Sequence, residues 1–569
     1  MPAYGQAIVL DPDDVLPELS TDGSGATIFY INGSQTYGLI EPSGDQRAYS
    51  SNAATKLMLS LVTLRLSDTG VIDLDTPVSD YLPEIIPTNP FAAPITVQHL
   101  LQETAGFASP PQSLKSKPQG RIVDQATLKK FAIIMRSPRQ VSSHDPVGWA
   151  ILVTLLEQIG GKPILQLITE TAAIPLGLDE NNIDISYQSL GGGGLPVTAN
   201  MSLTSFAEIV RPIIRNRDNA GQPFLTRDIY ASLVKPNDGF KLHPNGIAAS
   251  NGITIKQKSG YRLIEGLNAD CSNTLAFAAF PAQGVAFIIA RSDASICATN
   301  LVHNSGLKLA KKYFPPQSYT EISEPPLARP SKLEGRYIIA DKSPAGLAER
   351  LSIMQENWLT IGGYTGKELR LSVRGAAPHA YRETGPYEYQ LAGQDSSFSH
   401  LHFSPYRLGG YLSVTESDGK ATLYRRVDSL GRTAPLIYLL PWALLIIASA
   451  GAYAFKPSTK QWRNMGLFAV AGAGLVGAAL YFEYHSWAAV LYEQNQPVLI
   501  VAWRAAINIG LMLLLALPMF VFSLARHKAI PTSGPALLVG PHLALVAASA
   551  LAVFLTLVMW GVAGTFAPY

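Results

Sequence analysis

Few side chains in this 569-residue sequence are of a type and setting suited to chemistry. Lys56, His144 and the triplet Lys258-Ser259-Gly260 carry groups able to hold an anion or pass a proton, and a histidine can do so near neutral pH. The two cysteines are Cys271 and Cys297. Neither belongs to a Cys-x-x-Cys pair or lies near a histidine cluster, so no metal site is expected, and no pattern calls for a cofactor. They flank the apolar runs Thr274–Phe280 and Gly284–Ala290, which read as a β-hairpin with its outer ends close together. A disulfide in an oxidising compartment and a pair of small buried thiols both fit that placement. Arg504 and Asn508 lie one helical turn apart in an apolar stretch. An arginine there either faces protein or snorkels to the bilayer boundary, and snorkelling is the simpler expectation.

Lys and Arg total 44 against 42 for Asp and Glu, a net charge of +2 with no basic block, so nucleic acid is not an expected partner. Only 15% of residues are charged, low for a wholly soluble enzyme, because the C-terminal end is far more apolar than the rest. Four stretches, Ala434–Phe455, Met465–Phe482, Val498–Leu524 and Leu537–Val562, approach the roughly 20 residues that cross a bilayer. The first connecting loop holds Lys456, Lys460 and Arg463, and the last holds Arg526, His527 and Lys528. The middle one holds Glu483, His485 and Glu493. The positive-inside bias then sets a multi-pass protein in a bacterial inner membrane, with residues 1–430 on the periplasmic or extracellular side. Such a topology calls for an export signal, which Met1–Asp22 does not show. A removed signal, a different start and a different topology each account for this.

The candidate residues must be positioned by the region before the apolar end. Ala26–Ile31 and Thr36–Ile40 read as paired strands, and Lys56–Ser67 as a helix buried on nearly every face and ended by Gly70. Thr96–Gln102 and Gly148–Ile159 are further helices, the second closed by Gly160-Gly161. Strands, a helical block and strands again predict an α/β domain over 1–318, a sheet flanked by helices. Tyr319–Lys332 is a proline-rich, polar linker. From 333 to 428 come eight short alternating runs: Gly335–Ile339, Leu351–Gln355, Trp358–Ile361, Leu369–Val373, Tyr387–Leu391, His400–Phe403, Gly410–Val414 and Thr422–Arg426. They predict a small all-β barrel or sandwich with no catalytic cluster, packing between the outer domain and the four transmembrane helices of 434–562.

Several segments resemble the class C β-lactamase, D,D-carboxypeptidase and esterase family of serine hydrolases. Gly70-Val71-Ile72-Asp73-Leu74-Asp75-Thr76-Pro77-Val78-Ser79-Asp80-Tyr81-Leu82-Pro83 is similar to the segment after that family's catalytic helix. The run Ile95-Thr96-Val97-Gln98-His99-Leu100-Leu101-Gln102-Glu103-Thr104-Ala105-Gly106-Phe107 is similar to its ITIRHLLTHTSGL stretch. Pro175-Leu176-Gly177-Leu178 and Gly194-Leu195-Pro196-Val197-Thr198-Ala199-Asn200-Met201 match two more landmarks, in order, over residues 25–313. Leu333–Val427 resembles the small β domain that follows in membrane-anchored members, including Glu383-Thr384-Gly385-Pro386. The resemblance implies a β-lactamase/transpeptidase-like fold, an antiparallel sheet flanked by helices.

It also implies three catalytic motifs, and each is altered or displaced here. The first, S-x-x-K, puts a hydroxyl beside a lysine amine on one helical face. In this sequence it reads Ala53-Ala54-Thr55-Lys56, with the lysine present and the serine nucleophile absent; Ser50 and Ser51 stand at the wrong offset. Counting back from Gly148-Trp149 sets His144 at the Tyr of the Y-x-N motif and Pro146 at its Asn. A register slipped by one reads Ser143-His144-Asp145 instead. The third motif, K-[ST]-G, matches Lys258-Ser259-Gly260, although the next glycine, Gly266, comes late. A genuine Lys258 motif would make the cleft favourable to anions. Together these imply a homologue without serine hydrolase chemistry. It would act as a binding or scaffold subunit with a peptide, lipid or glycan in the cleft, or beside a membrane protein or an active paralogue. The alternative is an active hydrolase of the D,D-peptidase, amidase or esterase class in which Ala53 stands where serine belongs.

Overall fold

The computed structural model describes residues 27–32, 35–39, 48–86, 93–108, 125, 128–129, 132, 134, 137–139, 144–179, 183–188, 195–235, 247–258, 260–266, 274–291, 298–313, 333–339, 358–365, 368–373, 377–385, 388–392, 398–403, 411–416, 421–427, 436–455, 460–493, 497–527 and 538–560. Cys271, Cys297, Ser143 and Ser259 lie outside them, as do the runs expected as a linker at 319–332 and as a strand at 351–355.

Strands β1 (Thr27–Asn32) and β2 (Gln35–Leu39) form the first hairpin. Strand β3 (Tyr49–Ser51) leads directly into α1 (Asn52–Asp68). A helical block follows: α2 (Val78–Tyr81), α3 (Val97–Leu101), α4 (Pro146–Gly160) and α5 (Ile164–Ile168). The chain returns through β4 (Ile183–Tyr187), β5 (Val197–Met201), α6 (Leu203–Arg215) and α7 (Arg227–Val234). Five strands, β6 (Ile247–Ser250), β7 (Ile253–Lys258), β8 (Tyr261–Gly266), β9 (Thr274–Phe280) and β10 (Val285–Arg291), precede α8 (Ala298–Tyr313).

The strands make one sheet in the order β2-β1-β10-β9-β3-β5-β4, with β6-β7-β8 joining at β9. Pairing is antiparallel except at the single parallel bridge of Ser50 to Thr274. Two-residue alternation sorts the side chains of β8 between two cores. Ile264 joins the core of α1 and α4, whereas Tyr261 and Leu263 pack with Leu307, Leu309 and Ala310 of α8. Glu265 shares the second face, is fully buried, and is held by Lys256 at 2.6 Å. The sheet flanked by helices is the architecture the sequence predicts.

The edge of β9 positions the site. Phe277 to Ala279 pair with β8, while Thr274 meets β3, so two strands share one edge. Helix α1 starts where β3 ends, at that junction. Ser51 caps it, accepting from the Ala54 amide at 3.1 Å and donating to the Leu275 carbonyl at 3.2 Å. The Thr55 hydroxyl donates to the Ser51 carbonyl and accepts from the Ala199 amide, tying α1 to β5.

Downstream, β11 (Gly335–Ile339), β12 (Leu359–Thr365), β13 (Glu368–Val373), β14 (His379–Gly385), β15 (Glu388–Leu391), β16 (Phe398–Phe403), β17 (Tyr411–Glu416) and β18 (Ala421–Arg426) close into a barrel in chain order. Buried rings of Tyr337, Tyr389 and Phe403 meet edge to face, centroids 5.7 to 6.1 Å apart. Strand β14 was not among the runs the sequence predicts, because Tyr381 is its one large buried side chain in a polar stretch.

The chain divides into two compact units, Met1–Tyr337 with Thr360–Arg425, and Ile338–Leu359 with Arg426–Tyr569. The second contains four helices long and apolar enough to cross a membrane, at Leu436–Phe455, Lys460–Phe482, Ala502–Arg526 and Val539–Met559. They belong to α9 (Leu440–Ser449) with its 3₁₀ extension, α10 (Lys460–Glu493), α11 (Pro497–Arg526) and α12 (Val539–Met559). Gly472 and Gly510 let α10 and α11 approach closely: a Cβ on Gly472 would lie 3.2 Å from the Gly510 carbonyl. Arg504 is 1% exposed, so the snorkelling expected of it is corrected to burial against protein.

Candidate functional site

Ala53 occupies the second position of α1 and is buried, its methyl under the end of β8. A Cβ built on Gly266 would fall 2.9 Å from the Ala53 Cβ, so glycine is what lets β8 end there. Lys56, three residues on, shares the Ala53 face of the helix. Its amine donates to Glu103 Oε1 at 2.6 Å.

Glu103 was not singled out in the sequence, yet it is the hub of the site. Helix α3 ends in a Schellman motif, with the Thr104 amide bonding the His99 carbonyl and the Glu103 amide bonding the Leu100 carbonyl. This places Glu103 at the first position past the cap with φ +54°, a left-handed conformation that usually falls to glycine. The bend turns its carboxylate toward α1 and the start of α4. Besides Lys56, Oε1 accepts from Trp149 Nε1 at 2.8 Å, His144 Nδ1 at 3.2 Å and the Asp145 amide at 3.4 Å. Burial opposes the charge on Glu103. The Lys56 cation and the His144 hydrogen bond outweigh it and hold the carboxyl well below the usual glutamate range. Because that carboxylate can only accept, His144 must carry its proton on Nδ1.

Helix α4 supplies the other wall. Asp145 is its N-cap, accepting from the Gly148 amide at 2.8 Å, and Pro146 fills the first helical position, where a missing N–H costs nothing. Trp149 is fully buried and its ring lies 5.9 Å from the Lys56 amine. Gly252, at φ +71°, brings the loop before β7 onto this cluster: a Cβ there would stand 3.0 Å from the Lys56 carbonyl and 3.1 Å from Trp149 Cη2.

Lys56 and His144 therefore meet through Glu103, close to Ala53. Lys258 and Gly260 sit elsewhere, at the turn where Lys258 pairs with Tyr261 between β7 and β8. With about 3.3 Å of rise per residue, that turn is roughly 17 Å along β8 from Gly266. The strand end beside Ala53 is Glu265-Gly266, so the described Lys258 and Gly260 lie at the other end of β8 from Ala53. Among the described residues no group of His, Cys, Asp or Glu could hold a metal ion.

The family profile that matches the chain, described as Beta-lactamase, covers residues 41–186, the stretch containing Ala53, Lys56, Glu103 and His144. Over these residues the chain matches the beta-lactamase family model and shares its fold. A homologue is the D-alanyl-D-alanine-carboxypeptidase/endopeptidase AmpH of Escherichia coli (strain K12), 28% identical over 180 residues, 28% of this chain and 46% of that protein. The chain thus spans about half the length of that relative. Two solved structures are also similar. The octameric penicillin-binding protein homologue from Pyrococcus abyssi is 14% identical, with 71% of this chain and 96% of that one covered and a TM-score of 0.41. The beta-lactamase/D-alanine carboxypeptidase from Yersinia pestis complexed with citrate is 16% identical, with 52% and 95% covered and a TM-score of 0.41. In the family stretch ITIRHLLTHTSGL the residue aligned with Glu103 is histidine, and that exchange is the signal by which the hub could have been found. A beta-lactamase-like frame here surrounds a methyl group and a lysine already committed to a carboxylate.

Proposed function

We propose that this chain is a non-catalytic member of the beta-lactamase family, anchored in a membrane by its four C-terminal helices and acting through its outer domain as a binding or scaffold subunit. The observation that carries the proposal is the Lys56–Glu103 ion pair beside Ala53. Serine hydrolase chemistry needs a nucleophile and an amine that can take its proton. Ala53 supplies no nucleophile, a loss that costs on the order of 10⁶ in kcat in another serine hydrolase. The Lys56 amine donates to a carboxylate, so a second part of the machinery is also diverted. Ser51 is no substitute, since its hydroxyl caps α1 and bonds Leu275.

The basic loops between the first two and the last two spans support an orientation with residues 1–430 outside a bacterial inner membrane. The ligand classes proposed are a peptide, lipid or glycan, and the protein partners proposed are a membrane protein or an active paralogue.

Labelling with a fluorescent fluorophosphonate and a fluorescent β-lactam tests the reading. Neither the chain as it stands nor its Ala53→Ser variant is expected to react. Reaction of Ala53→Ser alone would favour an active hydrolase in which Ala53 replaces serine. Covalent labelling of the unaltered chain would end the proposal.

A further inference from the structure

The four donors around Glu103 all converge on one oxygen. Lys56, Trp149, His144 and the Asp145 amide each bond Oε1. Among the described residues none donates to Oε2, and the side chain keeps 16% of its surface exposed. An ionised carboxylate offers about four acceptor sites over its two oxygens, so the Oε2 half retains capacity that no described residue uses. The left-handed backbone at residue 103 is a local strain, and the hydrogen-bond set fixes the carboxylate in one orientation.

The pairing of Lys56 points the same way. An anion approaching Lys56 meets an amine already paired, beside two carboxylates. A donor approaching Oε2 meets a fixed, charged acceptor, the kind that forms the stronger hydrogen bonds.

We infer that the site takes a ligand bearing an ammonium or amide N–H group, anchored on Glu103 Oε2, and discriminates against ligands that present a carboxylate. This rests on the non-catalytic binding reading and names its ligand class.

Isothermal titration of the full chain in detergent micelles compares two probes of similar size and opposite charge. D-Alaninamide carries an ammonium and no carboxylate; N-acetyl-D-alanine carries a carboxylate and no ammonium. D-Alaninamide is expected to bind at millimolar concentration or below, with N-acetyl-D-alanine at least about tenfold weaker. Glu103→Gln is expected to weaken D-alaninamide by about ten- to a hundredfold, as loss of a charged hydrogen bond should, and to narrow the difference between the probes. Equal or tighter binding of N-acetyl-D-alanine to the unaltered chain overturns the inference, whatever the variant does. So does binding of neither probe at millimolar concentration, or an unchanged preference in Glu103→Gln. Fluorophosphonate labelling of the unaltered chain would defeat the non-catalytic reading and leave the charge preference standing; a reversed preference without labelling would do the opposite.

Discussion

Replacing Glu103 sets two opposing effects against each other, and their sizes can be worked from the geometry. The residue pays for its place with a left-handed backbone, which costs a non-glycine residue about 1 kcal/mol relative to glycine. In return its carboxylate satisfies the indole N–H of Trp149, which is fully buried, and the amine of Lys56, whose side chain is 13% exposed. Orphaning a buried donor costs about 1–3 kcal/mol. Leaving Lys56 without its partner adds about 1 kcal/mol, under the figure for a sealed ion pair, because its side chain is not fully buried. Glu103→Ala should therefore destabilise the outer domain by about 2–4 kcal/mol, Glu103→Gly by about 1 kcal/mol less, and Glu103→Gln least, since an acceptor oxygen remains. Scanning calorimetry of the full chain in micelles reads this directly. At about 2 °C per kcal/mol for a domain of this size, Glu103→Ala lowers its transition by about 4–8 °C. A Glu103→Gly protein as stable as the unaltered chain would refute the reasoning, because the carboxylate network would then contribute no more than the strain it imposes.

Acid should weaken the domain in two ways. Burial and the nearby Arg139 lower His99 from 6.5 to about 4, and its Nδ1 accepts the Thr96 amide, so the folded state holds it neutral. Its contribution is complete above pH 6.5 and is lost as pH falls toward 4, about 3 kcal/mol in all; Glu103, depressed in the fold, adds a loss below the ordinary carboxylate range. The melting temperature should fall steadily from pH 7 to pH 4, and His99→Gln should flatten that slope. Gly266→Ala drives a methyl against Phe277 and Ala53 and should cost about 1–3 kcal/mol, read by the same calorimetry. Trypsin added to intact spheroplasts should cleave within residues 1–430 while sparing the basic segment around Lys456 to Arg463; cleavage of that segment in intact spheroplasts would reverse the orientation.

Much of the frame could be read before folding was considered. The run buried from Ala53 to Thr55 and Leu57 to Leu64 leaves a helix no exposed apolar face to explain, and the two hairpins declare themselves by apolar runs around short turns. The four candidate spans follow from length and apolar composition together. What stayed hidden depends on position rather than composition. Glu103 looks like one more polar residue after a helix until the Schellman turn aims it at Lys56. A tripeptide such as Lys258-Ser259-Gly260 satisfies a pattern wherever it occurs, and only the register of β7 on β8 shows that Lys258 lies at the end of β8 remote from Ala53. Glu265 disguised the true strand end, since a charge fully buried against Lys256 does not announce an inner strand. Arg504 was misjudged for a related reason: packing between helices decides its burial, and that packing has no local signature.

The parallel bridge of β3 to β9 has a bearing on how the protein is made. It joins residues 224 apart, as does the hydrogen bond from Ser51 to Leu275, and β1 must likewise wait for β10. Such distant pairings are slow to form, because a long loop closes before any contact repays it. At about 5–20 residues per second, the ribosome adds the intervening segment in roughly 10–45 s, during which the first three strands have no neighbours on that side. The N-terminal hairpin is thus an open edge for much of synthesis, and the chain must keep it from pairing with other chains until β9 and β10 arrive.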